Sequence, residues 1–276
     1  MGGQSGARHG LRYDVNLSML FTELPVLRRP AAAKAAGFDA IEFWWPFGST
    51  AVPSDAEVDA FVSAVTDAGV RLVGLNFFAG DMPAGDRGLI SWVGRQWEFR
   101  DSVAVAFDIA RRLGTRTFNA LYGNRLPGVQ PAAQDELALS TLDWVCEEAA
   151  ALDATVVLEP LSAAPQYPLH TAADAFAVID KVGRTNLTLL ADLYHLTVNG
   201  DDVDSVIAEH TARIGHVQIA DAPGRGEPGS GQVDLDGHLA ALEAAGYRGY
   251  VGLEYKPTSD SESSFDWLPR ERRAAS

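Results

Sequence analysis

The feature that most constrains this chain is a repeated unit. A short apolar run is followed by a loop and then by a stretch with helical spacing of its apolar residues, and the unit recurs along the whole sequence. The runs that read as strands are Tyr13–Met19, Ala40–Phe43, Arg71–Asn76, Arg116–Ala120, Thr155–Glu159, Leu187–Asp192, His216–Ala220 and Tyr250–Glu254. Several are almost continuously apolar, as in Val156-Val157-Leu158, which suits parallel strands covered on both faces. Among the helical stretches, Ala31–Ala36 stops at Gly37. Ser54 with Glu57 gives the signature of a capping box ahead of a helix that runs to Ala68 and ends at Gly69. Phe99–Leu113, Glu136–Leu152, Ala172–Val182, Val203–Arg213 and Leu235–Ala245 complete the series, and a last, short helix would follow Pro257. Such alternation folds either as a closed barrel or as a doubly wound open sheet. No Gly-x-Gly-x-x-Gly turn follows the first strand, which weakens the dinucleotide-binding open sheet.

The placement of polar residues favours the barrel. In a (β/α)₈ barrel the chemistry sits at the C-terminal ends of the strands, and four late strands each deliver an oxygen donor there: Glu159, Asp192, Gln218 (with Asp221 shortly after) and Glu254. A carboxylate closing an apolar strand is costly unless it is paired or holds a cation. One alone reads as a structural ion pair; four aimed at one mouth read as a metal site. Three carboxylates and an amide oxygen form a hard donor set that suits Mg²⁺ or Mn²⁺. No Cys-x-x-Cys or His-Glu-x-x-His pattern competes for zinc. Glu159 and Glu254 come from different strands and can flank a substrate, one removing a proton and the other returning one. This is the apparatus of aldose–ketose isomerisation or epimerisation through an enediolate.

Other residues cluster at the same strand ends. His195 reads either as a hydrogen-bonding partner of substrate or as a structural histidine at a helix start. Arg225 lies in the glycine-rich segment Asp221–Gly231, a long, flexible loop, and reads as a bidentate clamp on a carboxylate or as a solvated loop arginine. Lys256 reads as a substrate contact or as half of an ion pair. Asn76 ends the third strand within reach of substrate. Glu42 is a supporting acceptor or a buried structural charge, and Trp44-Trp45 and Phe77-Phe78 would wall the mouth.

Composition sets the outer limits. The 276 residues are 47% hydrophobic, enough for one large core. The expected organisation is a disordered N-terminal extension over 1–11, a single barrel over 12–269 and a C-terminal tail over 270–276. With 37 acidic against 22 basic residues the net charge is −15, which opposes a nucleic-acid partner. A small anionic substrate needs only a local cationic pocket. The lone cysteine, Cys146, cannot form an internal disulfide and reads as a buried, inert thiol. No apolar run approaches the roughly 18–20 residues of a membrane span. Met1–Gly10 lacks the apolar core of a secretory signal, so a cytoplasmic protein is expected. A homo-oligomer is compatible with the sequence, although no feature specifies its interface.

The residues resemble the hydroxypyruvate isomerase family, within the xylose-isomerase-like barrels that also include ketose 3-epimerases and a DNA-repair endonuclease. The resemblance rests on Asn16–Phe21, Ala79-Gly-Asp81 with Ala84–Gly88, Gly94-Arg95 with Glu98–Asp101, Leu158-Glu-Pro160, Asp192-Leu-Tyr-His195, Ile214–Asp221, Arg225–Gly229 and Glu254–Pro257. It covers the chain from about residue 13 to residue 257. It implies that Glu159 and Glu254 are the acid/base pair, and that Glu159, Asp192, Gln218 and Glu254 are the metal positions. The related epimerases usually carry histidine where Gln218 stands, which favours interconversion of hydroxypyruvate and 2-hydroxy-3-oxopropanoate, with Arg225 on the substrate carboxylate. Two positions depart from the family pattern: Ser162 replaces an asparagine and Gly74 a histidine. The segment Ala163–Pro168 also differs. A smaller Gly74 would leave room for one more carbon, as in the isomerases of four-carbon 2-oxo acids. The alternatives are a ketose epimerase on the same metal site and a non-catalytic sugar-acid-binding barrel. Additional histidine ligands expected of the endonuclease branch are lacking.

Overall fold

The computed structural model describes residues 9–274. Eight parallel strands close into a barrel in chain order: β1 (Arg12–Asn16), β2 (Ala40–Phe43), β3 (Arg71–Asn76), β4 (Thr117–Asn119), β5 (Thr155–Leu158), β6 (Leu187–Asp192), β7 (Ile214–Ile219) and β8 (Tyr250–Leu253). Helices α1 (Arg29–Ala35), α2 (Asp55–Ala68), α3 (Gln96–Leu113), α4 (Pro131–Ala150), α5 (Ala172–Val182), α6 (Leu193–Asn199), α7 (Val203–His210) and α8 (Leu235–Ala244) lie between them. The expected (β/α)₈ barrel is therefore the observed fold.

Local chemistry explains most boundaries. The Ser54–Glu57 capping box opens α2, and Gly69 in the left-handed region ends it. Strand β1 stops at Asn16 rather than running to Met19. The Asn16 side chain accepts from Ser18 N, and its carbonyl accepts from Met19 N and Leu20 N, which turns the chain away from the sheet. Helix α4 starts five residues before the expected Glu136, because Pro131 serves as a first-turn residue that needs no amide donor. Helix α6 follows β6 without a loop, at the helix start that was one of the two readings of His195. Asp192 caps it, accepting from Tyr194 N at 2.9 Å and His195 N at 3.4 Å. After Pro257 the described residues hold no α-helix, only two 3₁₀ turns, Ser263–Phe265 and Arg270–Arg272.

The core lies between the strands and the inner faces of the helices. Phe77 of the β3 exit stacks on Phe118 of β4 with ring centroids 5.1 Å apart, and Phe107 of α3 meets Phe118 edge-on at 5.2 Å. Truncating a ring so enclosed costs about 3–5 kcal/mol. Residues 1–8 of the expected extension lie outside the described residues, whereas His9 is buried. Arg270–Arg272 of the expected tail form a 3₁₀ turn, and Arg273 after it donates to the carbonyls of Ala36, Phe265 and Leu268.

Side chains alternate along a strand, so every second residue faces the barrel interior. Register aligns those interior positions: Asn16 with Glu42, Glu42 with Gly74, Asp192 with Gln218, and Gln218 with Gly252. The upper interior is consequently polar, and the packed apolar core lies outside it.

Candidate active site

Glu159 and Glu254 each stand one residue beyond a strand end, on β5 and β8, and both are buried. Asp192 closes β6, and Gln218 lies on β7 one residue before its end. The four form one connected set. Gln218 Nε2 donates to Glu254 Oε2 at 2.5 Å. One guanidinium nitrogen of Arg225 donates to Glu254 Oε1 at 2.5 Å and to Asp192 Oδ2 at 3.2 Å. The Nε2 of His195 lies 3.5 Å from Asp192 Oδ2 and 3.9 Å from Glu159 Oε1. Burial, with the neighbouring Asp192 charge, pushes Glu159 up to about 8. Burial also raises Glu254 well above the usual carboxylate range.

This environment fits a hard divalent cation. Gln218 Oε1 is buried and accepts no hydrogen bond, while its amide nitrogen is fixed by two carboxylates, Glu254 and Glu42. An unpaired carbonyl-type oxygen beside three buried carboxylates is a donor set short of positive charge. His195 is close enough to be considered as a further ligand, since it groups with Glu159 and Asp192. Its tautomer argues otherwise. Ser162 N donates to His195 Nδ1 at 3.0 Å, so Nδ1 is the acceptor and the neutral ring carries its proton on Nε2. An Nε2–H faces the carboxylates as a donor, and burial depresses the imidazole to about 4.

Above this set lies a cavity of about 550 Å³. Glu159, Glu254, Asn76, His195, Arg225 and Lys256, all expected at the site, line it. Asn76 is buried at the end of β3, and Lys256 is exposed just beyond β8. Of the four aromatic residues expected at the mouth, only Trp44 lines this cavity, with its indole N–H directed at Glu254 Oε2 at 3.3 Å. Trp45 and Phe78 turn into an aromatic cluster together, and Phe77 belongs to the core. Gly74 is not among the residues that line this cavity: a Cβ there would meet Glu42 at 3.2 Å, so its small size makes room for that glutamate. The segment Asp221–Gly231 is pinned rather than flexible. The Asp221 carboxylate accepts from the amides of Ala222, Gly229, Gly231 and Val233 at 2.8–2.9 Å, so it is a staple and not a ligand.

Several supporting residues escaped the sequence reading. Asn119 donates to Glu159 Oε2 at 2.6 Å, and Asn16 donates to both Glu254 Oε2 and Glu42 Oε1. His216 bonds Glu42 at 2.6 Å. Burial alone would depress His216, but the Glu42 carboxylate outweighs it and raises the imidazole to about 9. Asp14 is fully buried beside this pair with neither oxygen hydrogen-bonded. The available clue was period-two polarity inside apolar strands: Asp14-Val-Asn16 and His216-Val-Gln218. Tyr167, in the divergent 163–168 segment, donates its hydroxyl to the carbonyl of Glu159 at 2.9 Å and so steadies the strand end.

Comparison with known proteins agrees with this geometry. The family model for the xylose isomerase-like TIM barrel matches residues 30–271. A Streptomyces coelicolor protein named for hydroxypyruvate isomerase is 52% identical, over 96% of this chain and 98% of its own length. The hydroxypyruvate isomerase of Escherichia coli is 33% identical over 94% of this chain and 98% of its own. The 2-oxo-tetronate isomerase of Cupriavidus necator is 32% identical over 93% and 97%. Among the described residues no helix is long and apolar enough to cross a membrane. With a closed eight-stranded barrel, carboxylates gathered at one mouth and relatives matched nearly end to end, the chain belongs to the hydroxypyruvate isomerase family of xylose isomerase-like barrels.

Proposed function

We propose that this enzyme interconverts hydroxypyruvate and 2-hydroxy-3-oxopropanoate by proton transfer between two glutamates. The observation that carries the reading is that Glu159 and Glu254, from strands β5 and β8, are both buried and both line one cavity. One carboxylate takes a proton from C3, the hydroxyl proton passes from O3 to O2, and the other carboxylate returns a proton to C2. The intermediate between them is an enediolate. Carboxylates whose affinity for protons is raised by burial suit both halves of that exchange.

Glu159, Asp192, Gln218 and Glu254 would hold Mg²⁺ or Mn²⁺, which when bound polarises a carbonyl and acidifies the adjacent C–H. The neutral His195 presents its Nε2–H to a substrate oxygen. Arg225, anchored on Asp192 and Glu254, offers its remaining N–H groups at the reacting end. Trp44 shields the site from water. Three cationic side chains in the cavity wall, Arg87, Arg225 and Lys256, favour an acid over a neutral ketose.

A four-carbon 2-oxo acid is the second reading. The cavity has space for a further carbon, and the identities to the Escherichia coli and Cupriavidus necator enzymes, 33% and 32%, do not separate the two. Turnover of three- and four-carbon 2-oxo acids decides the chain length. The mechanism is tested in D₂O, with the aldehyde product reduced to glycerate as it forms and a product-only exchange control. Deuterium at C2 is expected at early times. A C2 carrying only substrate-derived hydrogen would indicate a hydride shift and would rule out the two-glutamate relay.

A further inference from the structure

The motif Ala79-Gly-Asp81, Ala84–Gly88, Gly94-Arg95 and Glu98–Asp101 has no part in the metal and proton chemistry, yet it builds one well-fixed object. The loop after β3 closes on itself through Gly88 N to the carbonyl of Ala79 at 2.9 Å and Asp81 N to Asp86 Oδ2 at 2.8 Å. Arg95 clamps it, reaching Asp86 at 3.1 Å while paired with Glu98 at 2.6 Å. Gly88 adopts φ +106°, and a Cβ there would stand 1.9 Å from the carbonyl oxygen of Leu121. Only glycine allows the loop to lie so close to the segment after β4.

This loop presents Met82, Pro83 and one charged side chain, Arg87, to the cavity. Arg87 Nη1 donates to the carbonyls of Met82 and Asp86 at 3.0 and 2.7 Å, and the guanidinium makes no other hydrogen bond among the described residues. The adjacent Asp86 carboxylate is taken by Arg95, so Arg87 has no acidic partner among the described residues. Fixing Nη1 on backbone carbonyls leaves the Nε/Nη2 edge, the pair of parallel N–H donors that matches a carboxylate. Arg225 stands differently: one of its nitrogens already serves Asp192 and Glu254. The third cation, Lys256, enters the cavity from the loop after β8, three strands away around the barrel.

We propose that Arg87 receives the substrate carboxylate through its Nε/Nη2 edge, with Lys256 adding charge, and that Arg225 works at the reacting carbons instead. This rests on the 2-oxo-acid reading above and assigns the end of the substrate that does not react. It also gives the Ala79–Asp101 motif its purpose: to hold one arginine still.

The test uses the metal-loaded full chain and Arg87→Met, with Arg87→Lys as a second variant should the first fold poorly. Steady-state kinetics on hydroxypyruvate are expected to show KM raised roughly ten- to a hundred-fold in Arg87→Met, the size of a lost charge-assisted contact. The value of kcat should move far less, and Arg87→Lys should recover part of the loss. Binding of D-glycerate, an unreactive acid, read by quenching of tryptophan fluorescence at Trp44, should weaken in parallel. An unchanged KM in Arg87→Met, or loss of acid binding in Arg225→Met but not in Arg87→Met, would overturn the assignment. A wild-type enzyme that turns over dihydroxyacetone but no 2-oxo acid would instead overturn the functional reading on which it rests.

Discussion

The amide of Ser162 donates to His195 Nδ1 at 3.0 Å, so the loop after β5 sets the tautomer of a histidine presented by β6 and α6. The Ser162 hydroxyl adds a second contact at 2.6 Å to the same nitrogen. Ser162 thereby keeps Nε2–H aimed at Asp192 and Glu159.

It follows that His195 is neutral as Ser162 holds it. Burial depresses it to about 4, so between about pH 6.5 and 4 the unfolded chain binds a proton that the folded chain does not. Its contribution to stability is present above the unfolded value and is lost as pH falls through that window. Nitrogen-15 NMR should find a protonated Nε2, a bare Nδ1 and no titration above pH 5; a midpoint near 6.5 would refute this. His195→Leu should lower kcat roughly 10²-fold, as expected for a lost donor to a developing oxyanion.

Asp221 holds four backbone amides, and removing it leaves those donors without a partner. Asp221→Ala should cost roughly 1–3 kcal/mol of stability. It should also loosen the loop that carries Arg225. Amide hydrogen exchange at Gly229, Gly231 and Val233 is expected to accelerate ahead of the barrel strands. Exchange unchanged at those amides would mean the staple is dispensable.

Asp14 carries a pH signature of the barrel interior. Burial first, then the Glu42 charge, raises its carboxyl well above the usual range, so the folded chain keeps a proton that the unfolded chain releases. Stability linked to this group falls as pH rises above the ordinary aspartate value of about 3.9. The isosteric Asp14→Asn cannot ionise. Its Tm relative to wild type should therefore improve steadily between pH 4 and 8, as read by thermal melts across that range. A constant difference would show that Asp14 titrates normally.

The barrel was legible in the sequence because apolar runs alternate with helical stretches, and Glu159, Asp192, Gln218 and Glu254 stood out because four late strands each carry one oxygen donor at or near the C-terminal end. Helix α6 was legible only as a helix start at His195, since Asp192 ends a strand and caps a helix at once. Of the layer beneath the site only Glu42 was legible, as a supporting acceptor or buried charge. Asn16, Glu42 and His216 lie in segments whose apolar neighbours face outward, and only the register brings them together. The loop Asp221–Gly231 was misread as flexible because glycines permit mobility, while the distant carboxylate contacts that freeze it depend on the folded turn. Arg87 was visible only as one letter of a motif until its hydrogen bonds showed which edge was left over.

A cation-dependent isomerase whose proton transfer runs through Glu159 and Glu254 must lose turnover without the metal and without either carboxylate. The most direct measurement follows hydroxypyruvate turnover by a coupled aldehyde reductase, in protein stripped with chelator and then resupplied with Mg²⁺ or Mn²⁺. Turnover should vanish on stripping and return with metal in the wild type. In Glu159→Gln and Glu254→Gln it should stay at least roughly 10²-fold lower under the same conditions. Full activity in the stripped protein, or in either glutamine variant, would contradict the account.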